Sequence, residues 1–346
     1  MLSSTPPSPL EGSGTFVAIA GLARALSRRG HSVELRRLTL RTRFHTLDRL
    51  LYNLLVLLSP PRADVVVGVD LDGFLWARRR RQPFVVALKG VIADELTNER
   101  GLVRALLQVQ ARWERANCQR ADVVMVPSRY SAGMAAAAYD LPAGRITVVP
   151  EPLDLAEWRR LFATAPPRSG GRPIVLAVGR MYPRKRFGDL LEAAAILRTR
   201  IPGVQVRVVG HGPEAAHLRA LHARLGLGDT VVFLGEMTRP ALAVEYVGAH
   251  CFCLPSVQEG FGFVFAEAMA AGLPVVGCRA AAVPEVVVEG RTGLLVAPRS
   301  PEALAAALER VLRDDRLRKE MGEEGMRRVE AFDLDRVADE FLRALP

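Results

Sequence analysis

Two glutamates in a glycine-rich stretch are the residues of this sequence best placed to do chemistry. Glu259 lies in a loop rich in turn formers, and Glu267 lies in the second turn of a helix that apolar spacing predicts over residues 263–271. The unpaired N–H groups at the start of that helix suit an anion such as a phosphate, and Gly260 and Gly262 let the backbone approach it closely. A carboxylate beside a phosphate is tolerated where it accepts hydrogen bonds from hydroxyls of the same ligand. Sugars and riboses supply such hydroxyls.

The elements around these glutamates predict a strand over 251–254, a loop, the helix and a second strand. The run from Glu259 to Gly262, followed by Glu267 and Ala-Met-Ala-Ala-Gly-Leu-Pro-Val, resembles the E-x7-E segment of retaining nucleotide-sugar glycosyltransferases of family 4, which have the GT-B fold. By this resemblance Glu267 holds the ribose hydroxyls, Glu259 holds those of the donor sugar, and Gly260, Phe261 and Gly262 belong to the donor site. A turn between strand and helix with two solvated glutamates is the alternative.

A pair of cations follows a second predicted strand, which starts at Ile174. Arg180 comes directly after this strand and Lys185 lies five residues further on, so both should lie at the edge of the sheet where strands end. The segment from Gly179 to Lys185 resembles the G-R-x4-K segment of the same family, whose cations bind the leaving diphosphate. The alternative is a basic loop in water.

Three other residues are assigned to the donor site by resemblance alone. Gly14 ends a predicted loop, Glu11–Gly14, of the kind that the family places near the donor phosphates. Gly212 lies in a G-x-G-P loop, which is not a dinucleotide-binding fingerprint because Pro213 stands where the glycine spacing would have to continue. Glu236 ends a predicted strand at the place where the family binds the base.

The first half of the chain departs from the family pattern at two places. Lys89 follows a predicted strand where family members often carry His-Gly beside the reacting sugar. Glu151 stands where the family usually has the asparagine of Asn-Gly-Val-Asp, although Asp154 matches. We assign Lys89 to the acceptor side, where a lysine suits an anionic acceptor or a phosphate.

The alternation of strand and helix patterns predicts an α/β protein of two domains. We expect the GT-B architecture, with two doubly wound Rossmann-like domains facing across a cleft. The first spans residues 1–155 and carries the acceptor, and the second spans 156–332 and binds the nucleotide sugar. A C-terminal helix over 333–346 is expected to cross back onto the first domain. Residues 1–4 supply only the tail of a first strand, so either that strand is short or residues are missing before it.

Positive charge is concentrated in the first half, where residues 1–160 hold 23 Lys and Arg against 15 Asp and Glu. An amphipathic helix predicted between Phe44 and Leu58 either binds a membrane surface or packs against the core, and both interpretations stay open. The arginines are not interleaved with aromatic residues, so we expect no nucleic-acid partner. Four cysteines without metal spacing, no signal-peptide pattern and no membrane-spanning apolar run favour a cytoplasmic protein, peripheral at most at the inner face of a membrane.

The expected function is therefore hexosyl transfer with retention, from a UDP- or GDP-linked sugar to a glycan, a lipid-linked or a small-molecule acceptor. The chain lacks the motifs of P-loop enzymes and serine hydrolases. Asp70 and Asp72 have D-x-D spacing but fall in the expected acceptor domain, so we predict no metal requirement and no cofactor. The alternative is a non-catalytic nucleotide-sugar-binding protein or partner subunit of the same fold.

Overall fold

The computed structural model describes residues 1–5, 13–38, 42, 44–166 and 171–346. The chain forms two compact units. Unit 1 comprises Met1–Pro152 together with Leu334–Pro346, and unit 2 comprises Leu153–Asp333. The sequence placed these divisions after residues 155 and 332.

Unit 1 contains a sheet of six parallel strands in the order β2-β1-β3-β4-β5-β6. The central strands are short runs rich in valine, buried as strands of a parallel sheet must be when helices cover both faces. The strands are β1 (Leu2–Ser3), β2 (Arg36–Arg37), β3 (Val66–Val69), β4 (Phe84–Ala87), β5 (Val123–Val126) and β6 (Ile146–Val148).

Five α-helices among the described residues precede β6, and they lie in the crossover connections between the parallel strands. The helices are α1 (Ser13–Arg28), α2 (His45–Leu58), α3 (Ile92–Glu95), α4 (Gly101–Arg120) and α5 (Arg129–Tyr139). The Ser128 hydroxyl caps α5 by accepting a hydrogen bond from the Ser131 N–H at 3.1 Å.

The start of unit 1 differs from the sequence prediction at β2. The sequence His31-Ser-Val-Glu-Leu35, which follows the helix pattern, predicts the second strand, whereas that strand forms at Arg36–Arg37. The strand β1 has two residues and pairs with β2 through Leu2 with Arg36 and Ser3 with Arg37. Glu11 and Gly12 of the predicted glycine loop lie outside the described residues, and Gly14 lies in the first turn of α1.

Unit 2 contains a second sheet of six parallel strands in the order β12-β11-β10-β7-β8-β9. The strands are β7 (Ile174–Val178), β8 (Gln205–Val209), β9 (Val231–Gly235), β10 (Cys251–Leu254), β11 (Val275–Cys278) and β12 (Gly293–Val296). From β7 the chain proceeds outward through β8 and β9, then returns to place β10 on the other side of β7. The order of the strands therefore reverses between β7 and β10.

The helices of unit 2 pack on this sheet in one extended core. They are α6 (Leu155–Thr164), α7 (Phe187–Arg200), α8 (Ala215–Arg224), α9 (Arg239–Gly248), α10 (Phe263–Ala270), α11 (Val283–Val286), α12 (Pro301–Arg313) and α13 (Asp315–Val329). Asp154 and Asp314 cap α6 and α13 with their carboxylates.

The last helix, α14 (Leu334–Arg343), belongs to unit 1. Its Leu334 and Phe341 are buried in the same apolar cluster as Leu22 and Leu26 of α1. Arg29, directly after α1, adds exposed ion pairs to two carboxylates of α14, which contribute little compared with the apolar contact. No helix among the described residues has both the length and the apolarity needed to cross a membrane.

We predict that Phe341→Ala lowers the free energy of unfolding of unit 1 by about 3–5 kcal/mol, since it leaves a cavity beneath α14. Hydrogen exchange followed by mass spectrometry should show faster exchange in α1 and α14 and unchanged exchange in unit 2. The exposed neighbour Arg343→Ala serves as the control. Equal exchange in wild type and Phe341→Ala would show that α14 does not support unit 1.

Candidate active site

The best candidate site in unit 2 is the edge of the sheet where β7 and β10 end. Crevices outside the carboxyl ends of parallel strands bind ligands where the strand order reverses, and this sheet reverses between these two strands. The loop after β7 holds residues 179–186, and the loop after β10 holds residues 255–262. The cations and the first glutamate predicted from the sequence lie in these two loops.

The two loops are joined by backbone and side-chain hydrogen bonds. The Val257 N–H donates to the Arg184 carbonyl at 2.9 Å. The Lys185 Nζ lies 2.5 Å from Glu259 Oε1, and the buried Ser256 hydroxyl donates to the same oxygen at 2.7 Å. These contacts hold a lysine and a carboxylate, 74 residues apart in the chain, in one fixed arrangement.

Glu259 is ionised in this arrangement. Burial alone would raise the pKa of its carboxyl group, but the charges of Lys185 and Arg184 and the hydrogen bonds from Lys185 and Ser256 outweigh burial and hold the pKa below its usual range. Glu259 is therefore an acceptor of hydrogen bonds at neutral pH.

Two arginines of the first loop flank one aromatic ring. The guanidinium of Arg180 lies 5.7 Å from the centre of the Tyr182 ring, and that of Arg184 lies 5.5 Å from it. Such contacts restrict the arginines without neutralising their charge. Arg184 is also 4.0 Å from Glu259, whereas Arg180 is exposed and has no carboxylate partner among the described residues. Arg180 thus presents its charge to solvent at this edge.

The start of α10 is the third part of the site. Gly262 precedes the helix with φ of +97°, and a Cβ atom there would lie 2.6 Å from Cδ2 of Phe265, so glycine is required. No side chain in the described part of the structure caps this helix start. Its first N–H groups and the positive end of its dipole are therefore suited to an anion.

Gly260 and Phe261 complete the loop before α10. Phe261 does not present its ring to a ligand, because the ring is buried and meets Phe332 edge to face, with the two ring centres 4.9 Å apart. The backbone of Phe261, and not its ring, is therefore available for the predicted contact with a donor.

Glu267 lies one helical turn inside α10. Its Oε2 accepts a hydrogen bond at 3.0 Å from the hydroxyl of Tyr246, which is fully buried on α9. Burial raises the pKa of Glu267, and the charge of Arg239 together with the Tyr246 hydroxyl offsets this only in part. The two glutamates of the pattern are thus tuned in opposite directions.

The remaining donor-binding predictions in unit 2 lie along the same edge, whereas Gly14 lies in α1 of unit 1. Gly179 directly follows β7, and Gly212 follows β8 in the neighbouring loop. A Cβ atom at Gly212 would lie 2.6 Å from the Met181 N, so the two loops touch only because this residue is glycine. Glu236 is exposed at the end of β9, the edge strand beyond β8.

Unit 1 places the predicted acceptor-side lysine in a buried ion pair. The Lys89 Nζ lies 2.8 Å from Glu151 Oε2, and the side chains are 14% and 3% exposed. The Lys89 N–H also donates to Asp70 Oδ1 at 2.8 Å. The two residues that depart from the family pattern therefore contact each other. An anionic acceptor at Lys89 would have to compete with Glu151.

The D-x-D pair of unit 1 is engaged by protein groups. Asp72 accepts hydrogen bonds from the Ser4 N–H at 2.6 Å and from its hydroxyl at 2.9 Å, and burial raises the pKa of Asp72 to about 6. Asp70 accepts from Lys89, and Arg49 lies 3.9 Å away. Among the described residues, no group of three or more His, Cys, Asp or Glu is arranged to hold a metal ion.

Sequence analysis did not identify three residues that shape the site. Arg184 and Ser256 lie in the same two loops as the predicted Lys185 and Glu259. Their positions in the sequence could therefore have indicated that they belong to the site. Tyr246 had no such signal, because its contact with Glu267 depends on how α9 packs against α10.

The sequences of both units match known protein families. Residues 161–328 match the profile described as glycosyl transferases group 1, and residues 36–157 match that of glycosyltransferase family 4. The chain belongs to the glycosyltransferases that these two profiles describe. The first match lies within unit 2, and the second lies mostly in unit 1.

The chain is also similar in sequence to individual glycosyltransferases. A GDP-mannose-dependent alpha-(1-6)-phosphatidylinositol monomannoside mannosyltransferase of Mycolicibacterium smegmatis is 33% identical over 221 residues, which are 59% of this chain and 56% of that protein. The chain thus matches a little over half the length of this relative.

Solved structures show the shared GT-B fold. Sucrose-phosphate synthase from Thermosynechococcus elongatus superposes with a TM-score of 0.82 at 22% identity, covering 99% of this chain and 96% of that one. HepE of Anabaena, solved in complex with UDP and glucose, has a TM-score of 0.75 at 20% identity, covering 99% of this chain and 97% of that one.

We predict that the Lys89–Glu151 pair behaves as one unit in a double-mutant cycle. Lys89→Met should lower the free energy of unfolding by about 3 kcal/mol, because it leaves a buried carboxylate without its cation. Lys89→Met combined with Glu151→Gln should recover much of that loss. Urea denaturation checks both variants, and losses that simply add would contradict the pairing.

We also predict a pH-dependent contribution of Glu259 to stability. Because its folded pKa is lowered, its stabilisation is complete above the unfolded value of about 4.3 and is lost as the pH falls through the folded pKa. The difference in free energy of unfolding between wild type and Glu259→Gln should therefore shrink as the pH falls below about 5. Urea denaturation at several pH values measures this difference, and a constant value would be inconsistent with a lowered pKa.

Proposed function

We propose that this protein is a retaining, metal-independent glycosyltransferase. It transfers a hexosyl unit from a UDP- or GDP-linked sugar to a glycan, a lipid-linked or a small-molecule acceptor. The donor binds at the edge of unit 2 where β7 and β10 end. Membership of the family and the charges at this edge support the proposal.

One observation carries the proposal: the edge has more positive than negative charge beside an uncapped helix start. The loop after β7 carries Arg180, Arg184 and Lys185, and the loop after β10 carries one carboxylate, Glu259. Because Arg186 is paired with Asp189, these groups leave an excess of two positive charges in the two loops. A nucleoside diphosphate gains negative charge as its bond to the sugar breaks. Cations and backbone N–H groups that are already in place stabilise that charge without a metal ion.

The two glutamates bind neutral parts of the donor in this proposal. Glu259, ionised and held by Lys185 and Ser256, accepts hydrogen bonds from the hydroxyls of the sugar. Glu267, held by Tyr246, accepts from the ribose. Gly179, Gly212, Gly260 and Gly262 allow the donor to approach the backbone closely, and Glu236 lies toward the base. Phe261 supports the loop from the core, and we assign no donor role to Gly14 beyond its prediction from the sequence.

We assign the proton transfer to the leaving group itself. The acceptor hydroxyl forms a bond to the anomeric carbon as the bond from that carbon to the phosphate oxygen breaks. The hydroxyl proton passes to the departing phosphate oxygen, so atoms and charges balance. Glu259 is a poor covalent nucleophile here, since its carboxylate is stabilised by two cations and a hydroxyl.

Relatives limit the donor that should be tried first. The mycobacterial relative is named for GDP-mannose, and HepE was solved with UDP and glucose. We therefore propose a GDP- or UDP-hexose for this chain. The names of these proteins supply no acceptor for it, and we leave the acceptor at the level of a glycan, lipid-linked or small molecule.

A panel of UDP-, GDP- and ADP-sugars tests the proposal. The purified protein is mixed with each compound in the presence of EDTA, and both thermal unfolding and release of the nucleoside diphosphate are recorded. The proposal expects one compound to stabilise the protein and to be slowly hydrolysed. If a compound stabilises the protein but no nucleoside diphosphate is released, with or without added acceptors, the non-catalytic binder is favoured. No response to any compound would contradict the proposed donor site.

We predict that Lys185→Ala lowers turnover by about 10²–10³-fold, as expected for loss of one group that stabilises a developing charge. Arg219→Ala removes an exposed cation of α8 in the same unit and should leave turnover unchanged. Circular dichroism verifies that both variants are folded. Near-normal turnover in a folded Lys185→Ala protein would remove Lys185 from the proposed mechanism.

A further inference from the structure

Helix α2 lies with its polar side toward the protein and its leucine side toward solvent. The side chains it buries are Asp48, Tyr52, Asn53 and Val56. The exposed large apolar residues at and before this helix are Phe44, Leu47, Leu51, Leu54, Leu55 and Leu58. This is the reverse of a surface helix in a globular protein, which turns its apolar stripe to the core.

Hydrogen bonds fix this orientation from the inner side. Asp48 accepts from the Thr42 N–H at 2.7 Å, and the Tyr52 hydroxyl donates to the Arg36 carbonyl at 2.8 Å. The Asn53 side chain accepts from the Gly73 N–H at 2.7 Å. Rotating the helix to bury its leucines would break all three bonds and leave buried polar groups unpaired.

The exposed residues form one stripe. At 3.6 residues per turn the six positions fall within an arc of about 100°, and the helix is about 20 Å long. The ends are the most exposed, since Phe44 is 70% exposed and Leu58 is 81% exposed. A stripe of this width is what an amphipathic helix normally places against a partner.

The first turns of α4 extend the apolar surface. Leu102, Val103 and Leu106 are exposed there. The two helices are adjacent, because Gln110 of α4 donates to the Thr46 hydroxyl of α2 at 2.8 Å. We call the six exposed residues of the α2 stripe and these three residues of α4 the α2–α4 surface.

The exposed charges on these helices have one sign. The only carboxylates of α2 and α4 are Asp48 and Glu114, and both are buried. Arg104 and Arg112 of α4 are exposed, and Arg115 is exposed but paired with Asp140. An apolar stripe accompanied by arginines and no exposed carboxylate complements a surface that is apolar inside and negative outside.

We propose that the α2–α4 surface binds an anionic lipid membrane, with the leucines and Phe44 entering the boundary between headgroups and acyl chains. The arginines of α4 contact the lipid phosphates. Apolar area and electrostatic attraction together determine the strength of such binding. The proposal concerns unit 1 and does not depend on the donor chemistry of unit 2.

Sedimentation with vesicles tests this inference. Wild-type protein should sediment with vesicles of phosphatidylcholine and phosphatidylglycerol and should remain largely in solution with phosphatidylcholine alone. The triple variant Leu51→Gln, Leu55→Gln, Leu58→Gln should lose at least about tenfold in apparent affinity. Arg104→Glu with Arg112→Glu should weaken binding to anionic vesicles, and added salt should have the same effect.

Matched controls come from unit 2. Val244→Gln with Met326→Gln changes exposed apolar residues, and Arg219→Glu with Arg224→Glu changes exposed arginines. These variants should bind vesicles as wild type does. Thermal unfolding establishes that each variant is folded, and release of nucleoside diphosphate in solution should be the same with and without the leucine substitutions, which separates this test from that of the proposed function.

Two results would overturn the inference. One is equal binding to anionic vesicles by wild type and the leucine variant, or no binding by either. The other is a wild-type dimer in sedimentation velocity that the leucine variant separates into monomers without any vesicle binding, because the α2–α4 surface would then be an interface between two copies of the chain.

Discussion

The ion pair between Lys185 and Glu259 is the constraint on which the candidate site depends. The side chains are 12% and 8% exposed, so either charge alone would be costly to bury. The pair joins the loop after β7 to the loop after β10 at the point where the strand order reverses. It thereby fixes a cation beside the start of α10 and keeps Glu259 ionised. Arg180 supplies charge that is not committed to the fold.

Unit 1 contains a similar ion pair, but the pKa of its carboxyl group is shifted in the opposite direction. Lys89 and Glu151 are as close and as buried, yet the pKa of Glu151 is raised by burial, whereas that of Glu259 is lowered. The difference follows from the number of partners. Glu151 has one cation, and Glu259 has Lys185, Arg184 and the Ser256 hydroxyl. The pair in unit 1 holds Lys89 and Glu151 together, and the pair in unit 2 joins two loops at the edge where we propose that the donor binds.

Sequence patterns predicted the strand Cys251–Leu254, the helix from Phe263 and the meeting of Arg180, Lys185 and Glu259 at one edge, because strands of a parallel sheet end together. They did not predict which groups would pair. The contact between Tyr246 and Glu267 arises from helix packing, which periodicity does not encode. The spacing of leucines in α2 likewise predicted a stripe, but hydrogen bonds of its polar side decide that the stripe faces outward.

The location of nucleoside diphosphate binding is the most direct test of this account. Hydrogen exchange should be measured by mass spectrometry with and without UDP or GDP, in the presence of EDTA. We expect protection in residues 179–186 and 256–266, with little change in α4 or α14. Protection that appears only with a divalent metal ion, or that falls elsewhere in the chain, would contradict it.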